Sequence, residues 1–282
     1  MGLFSHAPLS LGISPCPNDT FIFHALLHGF VAAPAQIVPR IADVEELNRL
    51  AARREMDVTK LSLGAVPAIV EDYVLLSSGA ALGFNCGPLV VAREPLPESA
   101  WRCARVAVPG LLTTANLLLT LHGGFNEIRQ EMLFSEVMPA VARGDADLGV
   151  IIHEGRFTYQ HLGLTKILDL GQWWEGAFRL PLPLGAIAVR RDLPGETALA
   201  VQEAIARSLA YAREHPLASR DFVRANAQEL EESVTEAHIR TFVTDYSLDL
   251  GEAGKRAIEI LVGLGAELTG KSIPKEGLFL PS

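Results

Sequence analysis

A single histidine lies at the end of an apolar strand pattern. The stretch LGVIIHEGRFTY (148–159) is apolar up to Ile152 and then reaches His153. An imidazole has a pKa close to neutral and can act as a general base, so His153 is a candidate catalytic residue. The alternative is a histidine in the core or at a helix end that hydrogen-bonds to the backbone. Glu154 and Arg156 follow, and they could orient His153 or pair with each other.

A lysine interrupts a second apolar strand pattern. In DVTKLSLGA (57–65), Lys60 is followed by Leu61 and Ser62. Lys60 and Ser62 are two residues apart and therefore lie on one side of a strand. We expect this strand to end at the carboxyl edge of an open α/β sheet, where ligands bind. A lysine there needs an anionic partner such as a substrate, unless it lies on an edge strand and reaches water.

A pair of threonines opens a helix after a glycine turn. The stretch VPGLLTTANLLL (108–119) reads as a strand end, a turn and a helix that starts at Thr113, Thr114 and Ala115. Free N–H groups and the helix dipole at such a terminus favour a carboxylate or a phosphate. An ordinary N-cap by the Thr113 hydroxyl is the alternative.

The corner between the first strand and the first helix is stiff and polar. In SPCPNDTF (14–21), Asn18 or Asp19 is the predicted N-cap, and the two prolines restrict the turn. Such a cap would aim the first helix's N–H groups at the same cleft, so Asn18 is a candidate substrate-binding residue. Cys16 is not favoured as a nucleophile, because no neighbouring cation in the sequence would lower the pKa of its thiol.

Composition limits the function classes. The 282 residues carry a net charge of −9, with 49% hydrophobic and 20% charged residues, and Lys and Arg are scattered rather than clustered. This distribution disfavours nucleic acid as a partner, and no apolar run is long enough for a membrane span. Three cysteines without a C-x-x-C motif suggest neither a disulfide framework nor a metal site. The start of the chain has no secretory-signal pattern, so we expect a cytoplasmic protein; no oligomeric state is predicted.

The elements that position these residues follow a strand–helix alternation. Strand patterns at 9–14, 35–41 and 57–65 alternate with helix patterns, which predicts an α/β fold with parallel strands. The similar segments 87–95 and 184–194 are predicted to connect two lobes. We expect residues 1–92 and 187–282 to form a larger lobe and residues 93–186 a smaller one, with a ligand in the cleft between them.

The last third of the chain is predicted to be helical. Pro216 is expected in the first turn of a short helix. Ser233 and Glu236 have the spacing of a capping box ahead of an apolar helix face.

Together these blocks, with DLGQWWE and LPLPLGAIAVRRDL, closely resemble the 1,4-dihydroxy-6-naphthoate synthase family from about residue 9 to 250. The resemblance implies a two-lobed fold like that of the type II periplasmic binding proteins, with two hinge strands. It implies conversion of cyclic dehypoxanthine futalosine to 1,4-dihydroxy-6-naphthoate and dihydroxyacetone in menaquinone biosynthesis, without a metal or organic cofactor. It also implies that His153 is the general base and that Lys60, Leu61, Ser62, Thr113, Thr114 and Ala115 contact the substrate.

Three other functions fit parts of the pattern. A chorismate dehydratase of the same pathway would share the anion site but should lack the SPCPNDTF and IIHEGRFTY blocks together. A solute-binding protein would bind without chemistry, but it needs export, and the start of the chain shows no export signal. An effector-binding regulatory domain is disfavoured because no helix-turn-helix pattern precedes residue 9.

Overall fold

A computed structural model describes residues 7–228 and 231–281. Within these residues the strands, in chain order, are β1 (Leu9–Ile13), β2 (Ile37–Ile41), β3 (Val58–Ser62), β4 (Tyr73–Leu75), β5 (Ala81–Gly83), β6 (Leu89–Ala92), β7 (Val106–Val108), β8 (Arg129–Glu131), β9 (Leu148–Ile151), β10 (Thr165–Asp169) and β11 (Leu182–Arg190).

The helices in the described residues surround these strands. They are α1 (Pro17–Leu27), α2 (Val44–Ala52), α3 (Val66–Ile69), α4 (Thr114–His122), α5 (Phe134–Arg143), α6 (Gly155–Thr158), α7 (Leu170–Phe178), α8 (Gly195–Glu214), α9 (Arg220–Asn226), α10 (Glu232–Phe242), α11 (Asp245–Leu248) and α12 (Gly251–Thr269).

The first sheet has the order β2-β1-β3-β11-β4, with β5 also paired to β11. β1 runs parallel to β2 and β3, as the strand–helix alternation predicts, whereas β11 returns antiparallel to β3, β4 and β5. All five residues of β3 are buried, although only Val58 and Leu61 are apolar, so its polar side chains must find partners inside the fold. With α1 to α3 and α8 to α12, this sheet forms the larger lobe.

The second sheet has the order β10-β6-β9-β7-β8. β7 runs parallel to β8 and β9, while β6 is antiparallel to its neighbours β9 and β10. With α4 to α7 it forms the smaller lobe. Helix α5 packs on β7 and β9, and α4 packs on α7.

The connecting strands lie in different sheets, which corrects the predicted boundaries in detail. The division at residue 92 places β6 in the larger lobe, yet β6 pairs only within the second sheet among the described strands. The division at residue 187 cuts β11, whose residues from Leu182 onward already pair with the first sheet. A buried strand pattern shows that a strand lies in the interior but not to which sheet it belongs. The sequence therefore could not assign these two strands to their sheets.

Helix α1 begins earlier than predicted. Pro17 is its first residue, and Cys16 is the N-cap without a side-chain cap bond, so neither Asn18 nor Asp19 is the cap. A proline suits the first helical position because it has no N–H to satisfy. Almost all of α1 is buried, since the helix packs against α8, α9 and α10. Its position fixes the polar corner against the larger lobe.

Two helix starts in the last third also differ from prediction. Helix α9 begins at Arg220, so Pro216 lies in the turn before it. Helix α10 begins at Glu232 without a side-chain cap, and the predicted capping box at Ser233 is absent. The pattern S-x-x-E recurs by chance in charged helices, and here Ser233 lies inside the first turn. None of the helices in residues 7–228 and 231–281 is both long and apolar enough to cross a membrane.

Candidate active site

One pocket opens between the two lobes and contains every predicted site residue. Its lining includes Asn18, Lys60, Leu61, Ser62, Thr113, Thr114, Ala115 and His153. The larger lobe supplies the first four from α1 and β3, and the smaller lobe supplies the others from the start of α4 and the end of β9. Segments far apart in sequence therefore converge on one cleft, the usual place for a small ligand between domains.

His153 is held in an unusual backbone conformation. It lies two residues beyond the end of β9 and has φ of 54°, in the left-handed region that few residues other than glycine adopt. Such conformations cost free energy and cluster at functional sites. The imidazole packs edge-on against Phe134 at 4.9 Å, and its Nδ1 atom lies 3.4 Å from the Cys16 sulfur. The strained turn places the ring in the pocket.

The other ring nitrogen of His153 is available for chemistry. Its Nε2 atom is buried and has no hydrogen-bond partner among the described residues. The alternative of a backbone-bonded histidine therefore does not match the contacts found. Burial lowers the pKa of His153 to about 4, with a smaller opposing effect from Asp19. At neutral pH the imidazole is uncharged, and the tautomer whose Nδ1–H donates to the Cys16 sulfur leaves the Nε2 lone pair to accept a proton.

The Cys16 thiol is a poor nucleophile in this setting. Burial raises its pKa well above the ordinary value, and the nearby Glu154 carboxylate adds to this effect. The thiol stays protonated at neutral pH, which agrees with the sequence interpretation, and its sulfur contacts the His153 ring.

Lys60 has an internal anionic partner. Its Nζ atom lies 2.9 Å from Oδ1 of Asp19, and both side chains are almost fully buried. β3 lies between β1 and β11, so the edge-strand interpretation is wrong. Asp19 also accepts hydrogen bonds from the Ser14 N–H and hydroxyl and from the Asn18 amide. Much of the lysine's charge is therefore balanced before any ligand arrives.

Ser62 and Leu61 are fixed by the larger lobe. The Ser62 N–H donates to Asn48 Oδ1 at 2.8 Å, and the Asn48 amide donates to the Ser62 hydroxyl at 3.2 Å. Leu61 is fully buried and pairs with Ala186 of β11.

The start of α4 carries the N-cap that was the alternative to an anion site. Thr113 is the N-cap, and its hydroxyl accepts from the Asn116 N–H at 3.2 Å, so the ordinary N-cap is present. The Thr114 hydroxyl donates to the Leu184 carbonyl and accepts from the Gly64 N–H. Because both hydroxyls are engaged, a ligand at this terminus would meet the N–H groups of Thr114 and Ala115, which precede the capped Asn116 N–H and have no helical carbonyl to bond.

The two charged residues that follow His153, Glu154 and Arg156, have their contacts elsewhere. Arg156 bonds Asp169 at 3.0 Å and the Gly87 carbonyl at 2.5 Å, so it does not form the predicted pair with Glu154. The Glu154 carboxylate instead lies 3.8 Å from Nδ1 of His238, a buried histidine of α10.

Of the further residues that line the pocket, most carried no signal in the sequence. Arg156, Cys86, Gly87 and Phe242 all line the pocket. Cys86 and Gly87 lie where the chain crosses between the lobes, and Phe242 comes from a helix about ninety residues after His153. Only Arg156 carried a signal, since it lies three residues beyond the candidate base.

The chain matches a family model described as menaquinone biosynthesis over residues 9–267. It belongs to the menaquinone biosynthesis family. A relative from Thermus thermophilus, named 1,4-dihydroxy-6-naphtoate synthase, is 50% identical over 267 residues, which are 94% of this chain and 96% of the relative. A relative of the same name from Streptomyces coelicolor is 41% identical over 280 residues, covering 97% and 98% of the two chains. The family resemblance of the sequence blocks is confirmed.

Solved structures confirm the predicted fold of this family member. Protein AF1704 from Archaeoglobus fulgidus has a TM-score of 0.87 at 36% identity, covering 93% of this chain and 98% of its own. The periplasmic aliphatic sulphonate binding protein SsuA from Escherichia coli has a TM-score of 0.67 at 12% identity, covering 99% and 94%. The second likeness concerns the fold alone, and it places the chain among two-lobed periplasmic-binding-protein-like folds.

Proposed function

We propose that this protein converts cyclic dehypoxanthine futalosine to 1,4-dihydroxy-6-naphthoate with release of dihydroxyacetone. The observation that carries the proposal is the His153 imidazole, which is uncharged at neutral pH and has an unbonded Nε2 in a pocket shared with every other predicted site residue. The names of the two curated relatives support the same reaction. The protein would then be a carbon–carbon lyase of menaquinone biosynthesis, acting in the cytoplasm.

In this mechanism His153 is the general base. It removes a proton from the sugar-derived part of the substrate, and the electron pair released drives cleavage of a carbon–carbon bond. Formation of the aromatic product supplies much of the driving force. A single positioned base contributes about 10²–10⁴-fold to the rate. Positioning and exclusion of water in the closed cleft contribute the remainder.

The start of α4 is our proposed binding site for the substrate carboxylate. Two anion sites were candidates, Lys60 and the Thr113–Ala115 terminus. Lys60 already pairs with Asp19 at 2.9 Å, whereas Thr114 and Ala115 line the pocket at the first turn of α4, where N–H groups have no helical carbonyl to bond. The helix terminus is therefore the better carboxylate site.

The test is turnover by the purified protein. Cyclic dehypoxanthine futalosine is supplied after chelator treatment, and 1,4-dihydroxy-6-naphthoate is measured by mass. We expect product from the wild type and a loss of about 10²–10⁴-fold in His153→Ala. His122→Ala is the matched control, because His122 lies in the same lobe but bonds the Gly123 carbonyl outside the pocket.

Three outcomes would contradict the proposal or the role of its base. Dehydration of chorismate, supplied in parallel, would indicate the sister enzyme of the pathway. Tight binding of cyclic dehypoxanthine futalosine without product would indicate a solute-binding protein. Normal turnover by His153→Ala would remove His153 from the role of base.

A further inference from the structure

A second histidine lies behind the pocket, and the proposed reaction does not use it. His238 belongs to α10 of the larger lobe and is fully buried. Its ring stacks at 6.1 Å from His153 and packs at 4.5 Å against Phe242. A buried polar side chain needs a hydrogen-bond partner, so its contacts indicate its role.

The Nε2 atom of His238 contacts a pocket residue directly. It lies 2.9 Å from Oδ1 of Asn18, which lines the pocket. The amide nitrogen of Asn18 lies 2.7 Å from Oδ1 of Asp19 and donates to it. This second bond decides the orientation of the amide, because a carboxylate oxygen accepts from nitrogen and would repel the amide oxygen.

The orientation of Asn18 in turn fixes the tautomer of His238. The Asn18 oxygen faces the histidine and can only accept, so Nε2 of His238 must carry the proton. Burial lowers the pKa of His238 well below its usual value, with smaller contributions from His153 and Lys60. The ring is therefore uncharged, and its Nδ1 faces Glu154 of the smaller lobe at 3.8 Å.

We infer that His238 is a positioning residue that acts on the reaction through Asn18. Its Nε2–H holds the Asn18 oxygen, which keeps the amide nitrogen on Asp19. Asp19 in turn is bonded to Lys60 on the pocket wall. Without this donor, the buried Asn18 oxygen would lack a partner and the amide would turn away from Asp19.

The decisive experiment compares two substitutions of similar size. Glutamine at position 238 places an amide donor close to the position of Nε2, whereas asparagine places its amide close to Nδ1. We expect His238→Gln to keep kcat/KM within about threefold of the wild type. We expect His238→Asn and Asn18→Ala each to lose about 10–100-fold, because small displacements of groups in a pocket have effects of this size. Unfolding midpoints are measured beside the kinetics.

A double-mutant cycle tests the route of action. If His238 acts through Asn18, kcat/KM of the double variant His238→Asn/Asn18→Ala lies within about threefold of kcat/KM of the less active single variant. Losses that multiply, or equal activity of His238→Asn and His238→Gln, would overturn the inference. His24→Asn and His24→Gln are the matched controls, because His24 is a buried histidine of the same lobe whose ring packs on Phe30 and Phe222 outside the pocket. We expect both to keep wild-type kcat/KM.

The inference rests on the proposed function for its kinetic readout, so a second readout separates the two. The same cycle is measured on the affinity for 1,4-dihydroxy-6-naphthoate. An inactive wild type would refute the proposed function, while the affinity cycle would still decide the coupling. Nitrogen-15 NMR of the wild type gives an answer that does not depend on folded His238 variants. We expect the spectrum to show His238 as the Nε2–H tautomer. The Nε2 resonance should shift in Asn18→Ala. The Nδ1–H tautomer would overturn the inference.

Discussion

On the larger-lobe wall of the pocket, the Asp19 carboxylate is bonded by Lys60, Ser14 and Asn18. On the smaller-lobe wall, the Nε2 atom of His153 has no bond to any described residue. Both walls are buried and polar, yet one wall bonds its polar groups to each other and the other leaves a base unbonded. A satisfied buried network rigidifies a site, whereas an unbonded nitrogen in a pocket can meet a ligand.

This difference assigns separate tasks to the two lobes. The larger lobe supplies a rigid, nearly neutral surface on which a substrate can be oriented. The smaller lobe supplies the proton acceptor and the helix terminus that favours an anion. Substitutions that break the ion pair of the first wall should therefore affect stability first, and substitution of His153 on the second wall should affect chemistry first.

The largest expected effect on stability comes from Lys60→Met. Removal of the lysine leaves the buried Asp19 carboxylate without its counter-ion, 2.9 Å away in the wild type. Breaking such a buried pair costs about 3–5 kcal/mol in the free energy of unfolding. Urea denaturation measures this change.

The double variant Asp19→Asn/Lys60→Met is the control for Lys60→Met. It removes both charges, so most of the lost free energy of unfolding should return. A loss below about 1 kcal/mol in Lys60→Met would mean that the pair behaves like an exposed one, and the contrast between the walls would fail.

Sequence patterns predicted the second wall better than the first. An apolar run that ends on a histidine predicted the place of His153, although not its left-handed backbone, and the Thr113 cap is a local feature of four residues. The first wall depends on a pairing between Asp19 and Lys60, which lie 41 residues apart. No local spacing encodes which carboxylate a buried lysine will meet, so the sequence left substrate and solvent as candidates.

The fold shows the same limit. Strand–helix alternation predicted the parallel β1, β2 and β3, because each crossover is local in sequence. The sheet to which β6 belongs depends on pairing with strands more than fifty residues later. His238 was missed for the same reason, since its role arises from contact with a residue 220 positions earlier.

The second prediction concerns the effect of pH on stability through His153. The pKa of His153 is about 4 in the folded state, against an unfolded value near 6.5, so the unfolded chain binds the proton more tightly. His153 should therefore contribute its whole stabilising effect above about pH 6.5. The free energy of unfolding should fall as the pH drops towards 4. His153→Ala should flatten part of this fall, as measured by denaturation at a series of pH values.

The pH dependence of turnover should follow the same group. An uncharged base is active, so kcat/KM should stay level from neutral pH down to about pH 5 and fall only as the pH approaches 4. A half-maximal rate near pH 6.5 would contradict the low pKa of His153. His153 would then be hydrated like an exposed histidine, and the second wall would not be the buried wall described above.

The smallest expected effect comes from Gly64→Ala, where the two walls touch. A Cβ atom at Gly64 would lie 2.6 Å from the Thr113 carbonyl oxygen and 2.9 Å from the Thr114 nitrogen. Because these are backbone atoms, the lobes must separate slightly, at a cost of about 1–3 kcal/mol. We expect kcat/KM to fall about tenfold and the radius of gyration in solution scattering to rise. Gly263→Ala is the control, since nothing lies near its Cβ position on α12. If Gly64→Ala matches the control in both measurements, the smaller lobe does not need this contact to bring His153 against the larger-lobe wall.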